Sequence, residues 1–176
     1  RLRYFSPERE VDLCGHATVA AMAALYDRAQ ITADDYTIET NVGVLDVEVE
    51  ADGTVWFTQS DPEIRAVDCA VESVAAALGV EEHALTEVGE DLPLSYASTG
   101  FPFLMAPVSY FEQLSAIDPD REAIVDLCES TGTEGLYAFT FDTLEGNSTL
   151  HGRAFVPLAG IPEDPVTGTA SGAVCA

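Results

Sequence analysis

The sequence predicts an α+β fold of two pseudo-symmetric halves, each with a mixed sheet or barrel wrapped around a central helix. Three observations predict it. The run Val19-Ala20-Ala21-Met22-Ala23-Ala24-Leu25-Tyr26 is apolar on every face, which suits a helix enclosed all round. A motif then occurs twice. Arg3-Tyr4-Phe5-Ser6-Pro7 is followed after seven residues by Gly15-His16-Ala17-Thr18-Val19-Ala20, and Arg153-Ala154-Phe155-Val156-Pro157 after ten by Gly168-Thr169-Ala170-Ser171-Gly172-Ala173. Both copies read Arg-x-Phe-x-Pro, a loop, then Gly-[His/Thr]-Ala-[Thr/Ser]-x-Ala. Their separation is too great for a solenoid and fits two similar domains, each with a strand feeding a central helix. Finally, Leu45, Val47 and Val49 alternate with Asp46, Glu48 and Glu50, the period of a half-buried strand.

Taken in order, Leu2 to Phe5 reads as a strand and Ala17 to Asp27 as the enclosed helix. Asp35 to Thr40 and Val42 to Val49 follow as strands, and Asp52-Gly53 signals a type I′ hairpin returning along Thr54 to Gln59. Val67 to Leu78 is amphipathic, with Val71, Val74, Ala75 and Leu78 on one face and Gly79 as its stop. Glu81 to Leu92 is acidic and loop-like, and Phe101 to Ser109 is a strand opening the second half. Asp118-Pro119 suits an N-cap and first helical position for a helix to about Glu129. Leu136 to Asp142 and Leu150 to Val156 are strands about a Glu145-Gly146-Asn147 turn, and the last helix begins near Thr169. The loop around Gly89 to Ser98 is the boundary candidate, which gives domains 1–95 and 96–176, each with one copy of the motif. Beginning at Arg1 within a strand and ending at Ala176 within a helix, the chain reads as a fragment incomplete at both termini.

Composition bounds the function. The 176 residues are 47% hydrophobic, enough for a real core, and no run approaches the roughly 20 apolar residues that span a bilayer. Thirty-one acidic residues stand against seven arginines and no lysine, for a net charge of −24. Such an acidic surface suits concentrated salt, which screens self-repulsion, and points to the cytoplasm of a salt-accumulating, halophilic cell. It makes nucleic acid an unsuitable partner, since nothing here could neutralise a run of phosphates. On this basis stability should fall as potassium chloride is diluted from molar to low concentration. Equal denaturation midpoints at the two salts would refute the screening argument.

The four cysteines, Cys14, Cys69, Cys128 and Cys175, form no Cys-x-x-Cys pair and no metal-ligand spacing, so reduced thiols and no metal are expected. The chemistry falls to the two copies of the motif. A helix opening on Gly15 and His16 offers free backbone N–H groups and a positive dipole end, a natural place for a carboxylate or phosphate. For the first copy alone, a plain strand-to-helix turn with a core histidine is the alternative. His16 could hydrogen-bond a substrate oxygen or pass a proton near neutral pH. Asp164, extended by Pro165, would present a carboxylate to the same cleft if the halves face each other. Gly15 and Gly168 permit close approach of backbone to a ligand, and Thr169 adds a hydroxyl at the second helix start.

Asp12-Leu13-Cys14-Gly15-His16-Ala17-Thr18 and Gly160-Ile161-Pro162-Glu163-Asp164-Pro165-Val166-Thr167-Gly168-Thr169-Ala170 resemble the two signatures of the PhzF-like phenazine-biosynthesis isomerase family. Ser98-Thr99-Gly100-Phe101-Pro102-Phe103-Leu104-Met105 is similar to the segment between them. The resemblance covers essentially the whole chain and implies the diaminopimelate epimerase-like fold. It implies a cofactor-independent isomerase that moves a proton on a small carboxylated metabolite, with a homodimer as a permitted assembly. It assigns proton transfer to His16 and Asp164, and substrate binding to Gly15, Ala17, Gly168 and Thr169. The family commonly has serine where Thr169 stands. Its acid/base glutamate lies upstream of the first signature, on a segment expected to be absent here. Cys14 raises a rival, because thiol-dependent relatives pair two cysteines, one just before a glycine at this point. The second copy has Thr167 in that place, and Cys175 aligns with Met22, a core position. A non-catalytic small-acid-binding module is the remaining alternative.

Overall fold

The computed structural model describes residues 1–88 and 92–175. The start of the expected boundary loop, residues 89–91, lies outside the described residues. The chain opens with a short pair, β1 (Tyr4–Phe5) and β2 (Glu10–Val11), and then α1 (Gly15–Asp27). Next come β3 (Asp34–Thr40), β4 (Gly43–Val49) and β5 (Val55–Phe57), an antiparallel sheet in which Ile38 pairs with Leu45 and Val47 with Phe57. Leu45, Val47 and Val49 point inward, as their alternation requires, and pack with Met22 of α1, Tyr4 and Leu13.

Two local expectations are corrected in this unit. The β4–β5 turn is a three-residue loop, Ala51 to Gly53, closed by the Thr54 carbonyl on Glu50 N–H at 2.8 Å. Left-handed geometry is confined to Gly53 (φ 88°), so the turn is a type I turn with a bulged glycine, and no type I′ pair forms. Nor is α1 enclosed all round. Gly15, Thr18 and Met22 are buried, while His16, Ala20 and Ala24, one turn apart on the opposite face, are exposed. Alanine is apolar by composition yet small enough to face solvent at little cost, so pattern alone does not fix which side a helix of alanines buries.

The rest of the chain builds a six-stranded sheet. Its elements are β6 (Glu63–Ala66), α2 (Val71–Leu78), α3 (His83–Thr86), β7 (Ser95–Ser98) and β8 (Pro102–Pro107). They continue with α4 (Phe111–Ser115), α5 (Arg121–Thr131), β9 (Gly135–Thr140) and β10 (His151–Val156). A 3-10 turn (Pro157–Ala159), β11 (Ile161–Asp164) and α6 (Gly168–Val174) complete them. The strand order is β11-β10-β9-β8-β7-β6, antiparallel except for the β8–β9 pair, which α4 and α5 bridge. The boundary expected between 95 and 96 falls inside β7. β6 pairs with β7 and α2 packs on the same sheet, so residues on both sides of position 95 share one sheet.

Both faces of the central strands are apolar, which two covered faces demand. Leu104, Ala106, Leu136, Ala138 and Phe155 turn to α2 and α5, while Phe103, Met105, Tyr137, Phe139 and Ala154 turn to α6. The expected α2 starts four residues late, at Val71, and ends as read, with Gly79 left-handed (φ 67°). A Cβ at Gly79 would sit 2.7 Å from the Asp118 carbonyl oxygen, so glycine is required by space as well as by φ. The cap of α5 is Asp120, whose side chain accepts from the N–H of Glu122 (2.9 Å) and Ala123 (3.1 Å). Asp118 does not cap that helix; its N–H and that of Asp120 instead bond the last carbonyls of α2, those of Leu78 and Ala77.

Candidate functional site

The duplicated motif is duplicated in three dimensions. In the first copy Tyr4 pairs with Val11 and α1 starts four residues on; in the second Ala154 pairs with Asp164 and α6 starts four residues on. The three extra residues of the second link are taken up by the 3-10 turn. Arg3 grips Glu10 with Nε and Nη2 at 2.8 and 2.7 Å, and Arg153 grips Glu163 with the same atoms at 2.7 and 2.8 Å. Cys14 and Thr167 are the matching N-caps. Their carbonyls accept from the hydroxyls of Thr18 (2.9 Å) and Ser171 (3.1 Å), four residues into each helix.

The two helix starts meet. A Cβ on Gly15 would lie 3.8 Å from the Gly168 Cα, an ordinary contact, and 3.3 Å from the Phe57 ring, which would have to give by a few tenths of an ångström. The helices α1 and α6 thus begin within a side chain's reach of each other. In front of them is a cavity of about 340 Å³, at the small end for a ligand site. Gly15, His16 and Ala17 line it from α1, Asp164 from the end of β11, and Gly168 and Thr169 from α6. All six residues singled out in the sequence therefore share one cavity. Phe101 and Phe103, with Val156 and Ile161, give it apolar walls.

His16 is exposed at the mouth, with the Cys14 Sγ 3.6 Å from either ring nitrogen. Asp164 is half-buried, and the Thr167 hydroxyl donates to its Oδ2 at 2.7 Å. Sequence reasoning missed two residues that hold the second helix start. Gln59 Nε2 donates to the Gly168 carbonyl at 3.2 Å, and the Thr99 hydroxyl donates to the Thr169 carbonyl at 3.3 Å and to Gln59 Oε1. Gln59 has no periodic or motif signal. Thr99 lies in the segment already noted as family-like.

Arg3 holds the Glu10 carboxyl down at about 2, chiefly through its hydrogen bond, with Asn41 adding a second. That folded value is depressed, so the pair's contribution to stability is present above the ordinary carboxylate range and is lost as pH falls through about 2. The Cys14 thiol moves the other way. Burial pushes it up, and the Asp164 carboxylate adds to this against an opposing N–H from Ala17. All four cysteines are free; Cys128 is buried and pushed up to about 11 by that burial. Cys175 is exposed, unlike the buried Met22 it matches. Alkylation at pH 8 should therefore mark Cys175 first and Cys14 and Cys69 later, with Cys128 marked on unfolding. Mass mapping that found Cys14 fastest would reveal an activated thiol.

Among the described residues, no cluster of three or more His, Cys, Asp or Glu could hold a metal ion, and no helix is long and apolar enough to cross a membrane. The profile of a family described as phenazine biosynthesis-like protein matches residues 1–176. The uncharacterized isomerase YfhB of Bacillus subtilis is 37% identical over 176 residues, covering 97% of this chain and 59% of that protein. An uncharacterized isomerase of Deinococcus radiodurans is 36% identical, covering 100% and 57%. The crystal structure of the Bacillus anthracis phenazine biosynthesis protein of the PhzF family superposes with a TM-score of 0.83 at 33% identity, over 98% of this chain and 59% of that one. A hydroxyproline epimerase from Agrobacterium vitis, at 14% identity and a TM-score of 0.60, shares the fold. The chain thus spans less than two thirds of the length of these relatives.

Proposed function

Because the chain belongs to the phenazine biosynthesis-like protein family, we propose that it carries the cavity of a cofactor-independent isomerase or epimerase, one that moves a proton on a small carboxylated metabolite. The observation that carries this reading is the meeting of two helix starts with His16 and Asp164 in one cavity. In this reading the first-turn N–H groups of α1 and α6, beside Gly15, Ala17, Gly168 and Thr169, receive the substrate carboxylate. Removing a proton from the neighbouring carbon pushes negative charge onto that carboxylate, where fixed N–H dipoles stabilise it without reorganisation. His16 and Asp164 then hold and return the proton, and the Thr167 hydroxyl keeps the Asp164 carboxylate turned to the cavity. The acid/base glutamate that the resemblance assigns upstream would come from the length of the relatives that this chain does not span.

Two alternatives differ in support. A two-thiol racemase needs a partner for Cys14, but its match is Thr167, whose hydroxyl is engaged with Asp164. A non-catalytic acid-binding module draws on one observation: Asp164 is the one carboxylate side chain among the described residues of the lining. The test is deuterium incorporation from heavy water into a panel of small carboxylic acids, read by proton NMR, with the chain extended to the length of its relatives. Incorporation at a carbon next to the carboxylate is expected. Acids that bind and never exchange would leave the binding module as the function.

A further inference from the structure

The two arginines of the repeat are bonded differently, and the difference falls at the cavity. Arg153 uses its whole fork: besides Glu163, its Nη1 donates to the carbonyls of Leu114 (3.2 Å) and Ile117 (2.9 Å). It lies over the Phe155 ring, which is fully buried. Arg3 makes the same two-pronged bond to Glu10, but its Nη1 has no protein partner among the described residues. The ring beneath it, Phe5 at 4.9 Å, is 67% exposed, and both residues line the cavity that holds His16 and Asp164. The first copy of the motif therefore leaves open at the cavity what the second copy closes off in the core.

The charge balance gives that open donor a use. A chain of net charge −24 repels anions, and the described lining already contains the Asp164 carboxylate. Among the described residues Arg3 is the one lining residue with a permanent positive charge, and its Nη1, without a partner among them, carries two N–H donors for a carboxylate. We propose that Arg3 is a specificity-determining residue whose Nη1 holds a second carboxylate of the substrate, so that the cavity prefers small dicarboxylic acids to monocarboxylic ones. The inference rests on the reading of the cavity as an acid-binding site and adds to it the class of acid.

Calorimetric titration with glutarate and with pentanoate, at one ionic strength and with the chain extended to the length of its relatives, tests it. Glutarate should bind about 10-fold or more tightly than pentanoate, the advantage of one charge-assisted hydrogen bond over solvation. Arg3→Gln should bring glutarate down to pentanoate. Glu10→Gln, which breaks the same ion pair but keeps the guanidinium, should preserve the preference. Equal affinities in the unaltered chain overturn the inference without touching the acid-binding reading, and this comparison decides even if Arg3→Gln does not fold. A preference that survives Arg3→Gln, or that Glu10→Gln removes equally, also overturns it. If neither acid binds, both readings fall together.

Discussion

His16→Ala and Asp164→Asn are each expected to lower deuterium incorporation by about 10²-fold or more, the usual cost of losing a positioned proton-transfer group. Cys14→Ala is expected to cost less than about 10-fold, because a thiol pushed up by burial is a poor base at neutral pH. The two large losses should come without loss of fold. His16 is exposed and Asp164 half-buried, and neither belongs to a packed core cluster. Circular dichroism and the urea midpoint of each variant would establish that. If Cys14→Ala abolished exchange while His16→Ala spared it, the thiol reading would replace this one.

Phe155→Ala is expected to destabilise the protein by about 3–5 kcal/mol, and Phe5→Ala by less than about 0.5 kcal/mol, although the two hold the same place in the repeated motif. Phe155 is fully buried between the sheet and its helices, and its backbone oxygen would lie 2.8 Å from a Cβ at Gly135. A ring with no exposed surface leaves a cavity on truncation, which the surrounding residues fill only in part. Phe5 is 67% exposed, so truncation returns little apolar surface to water. Urea midpoints of the two variants measure the difference, and similar shifts would show that Phe5 is packed in solution.

What could be read in the sequence follows from where the constraint was local. The β3–β4 ladder was legible because one face is buried and the other wet, which imposes a period of two on Leu45, Val47 and Val49. The edge strand β6 was not, since Glu63 to Ala66 are all exposed and carry no pattern. At the opposite edge, β11 hides behind Pro162, which pairing disfavours in a central strand but permits at a margin. Asp118 and Asp120 flank the same proline, and only the α2 carbonyls that engage the backbone at 118 and 120 decide which aspartate caps α5. The grouping of the six candidate residues in one cavity was legible because the motif is written twice. Gln59 was not, because its task, holding the Gly168 carbonyl, is set by a contact across 109 positions.

The strict sequence order of the six-stranded sheet bears on how the molecule assembles. Every strand in it pairs with the strand before or after it in the chain, so each pairing joins neighbours in sequence, the helical links through α2 and α3 and through α4 and α5 being the long ones. Gly15 and Gly168, in contrast, must find each other from opposite ends of the chain. Closing a long loop orders more chain before any contact rewards it, which places that encounter late in folding. The cavity between α1 and α6 is then a late product of the folding reaction, and a chain with its sheet complete can still be without a site.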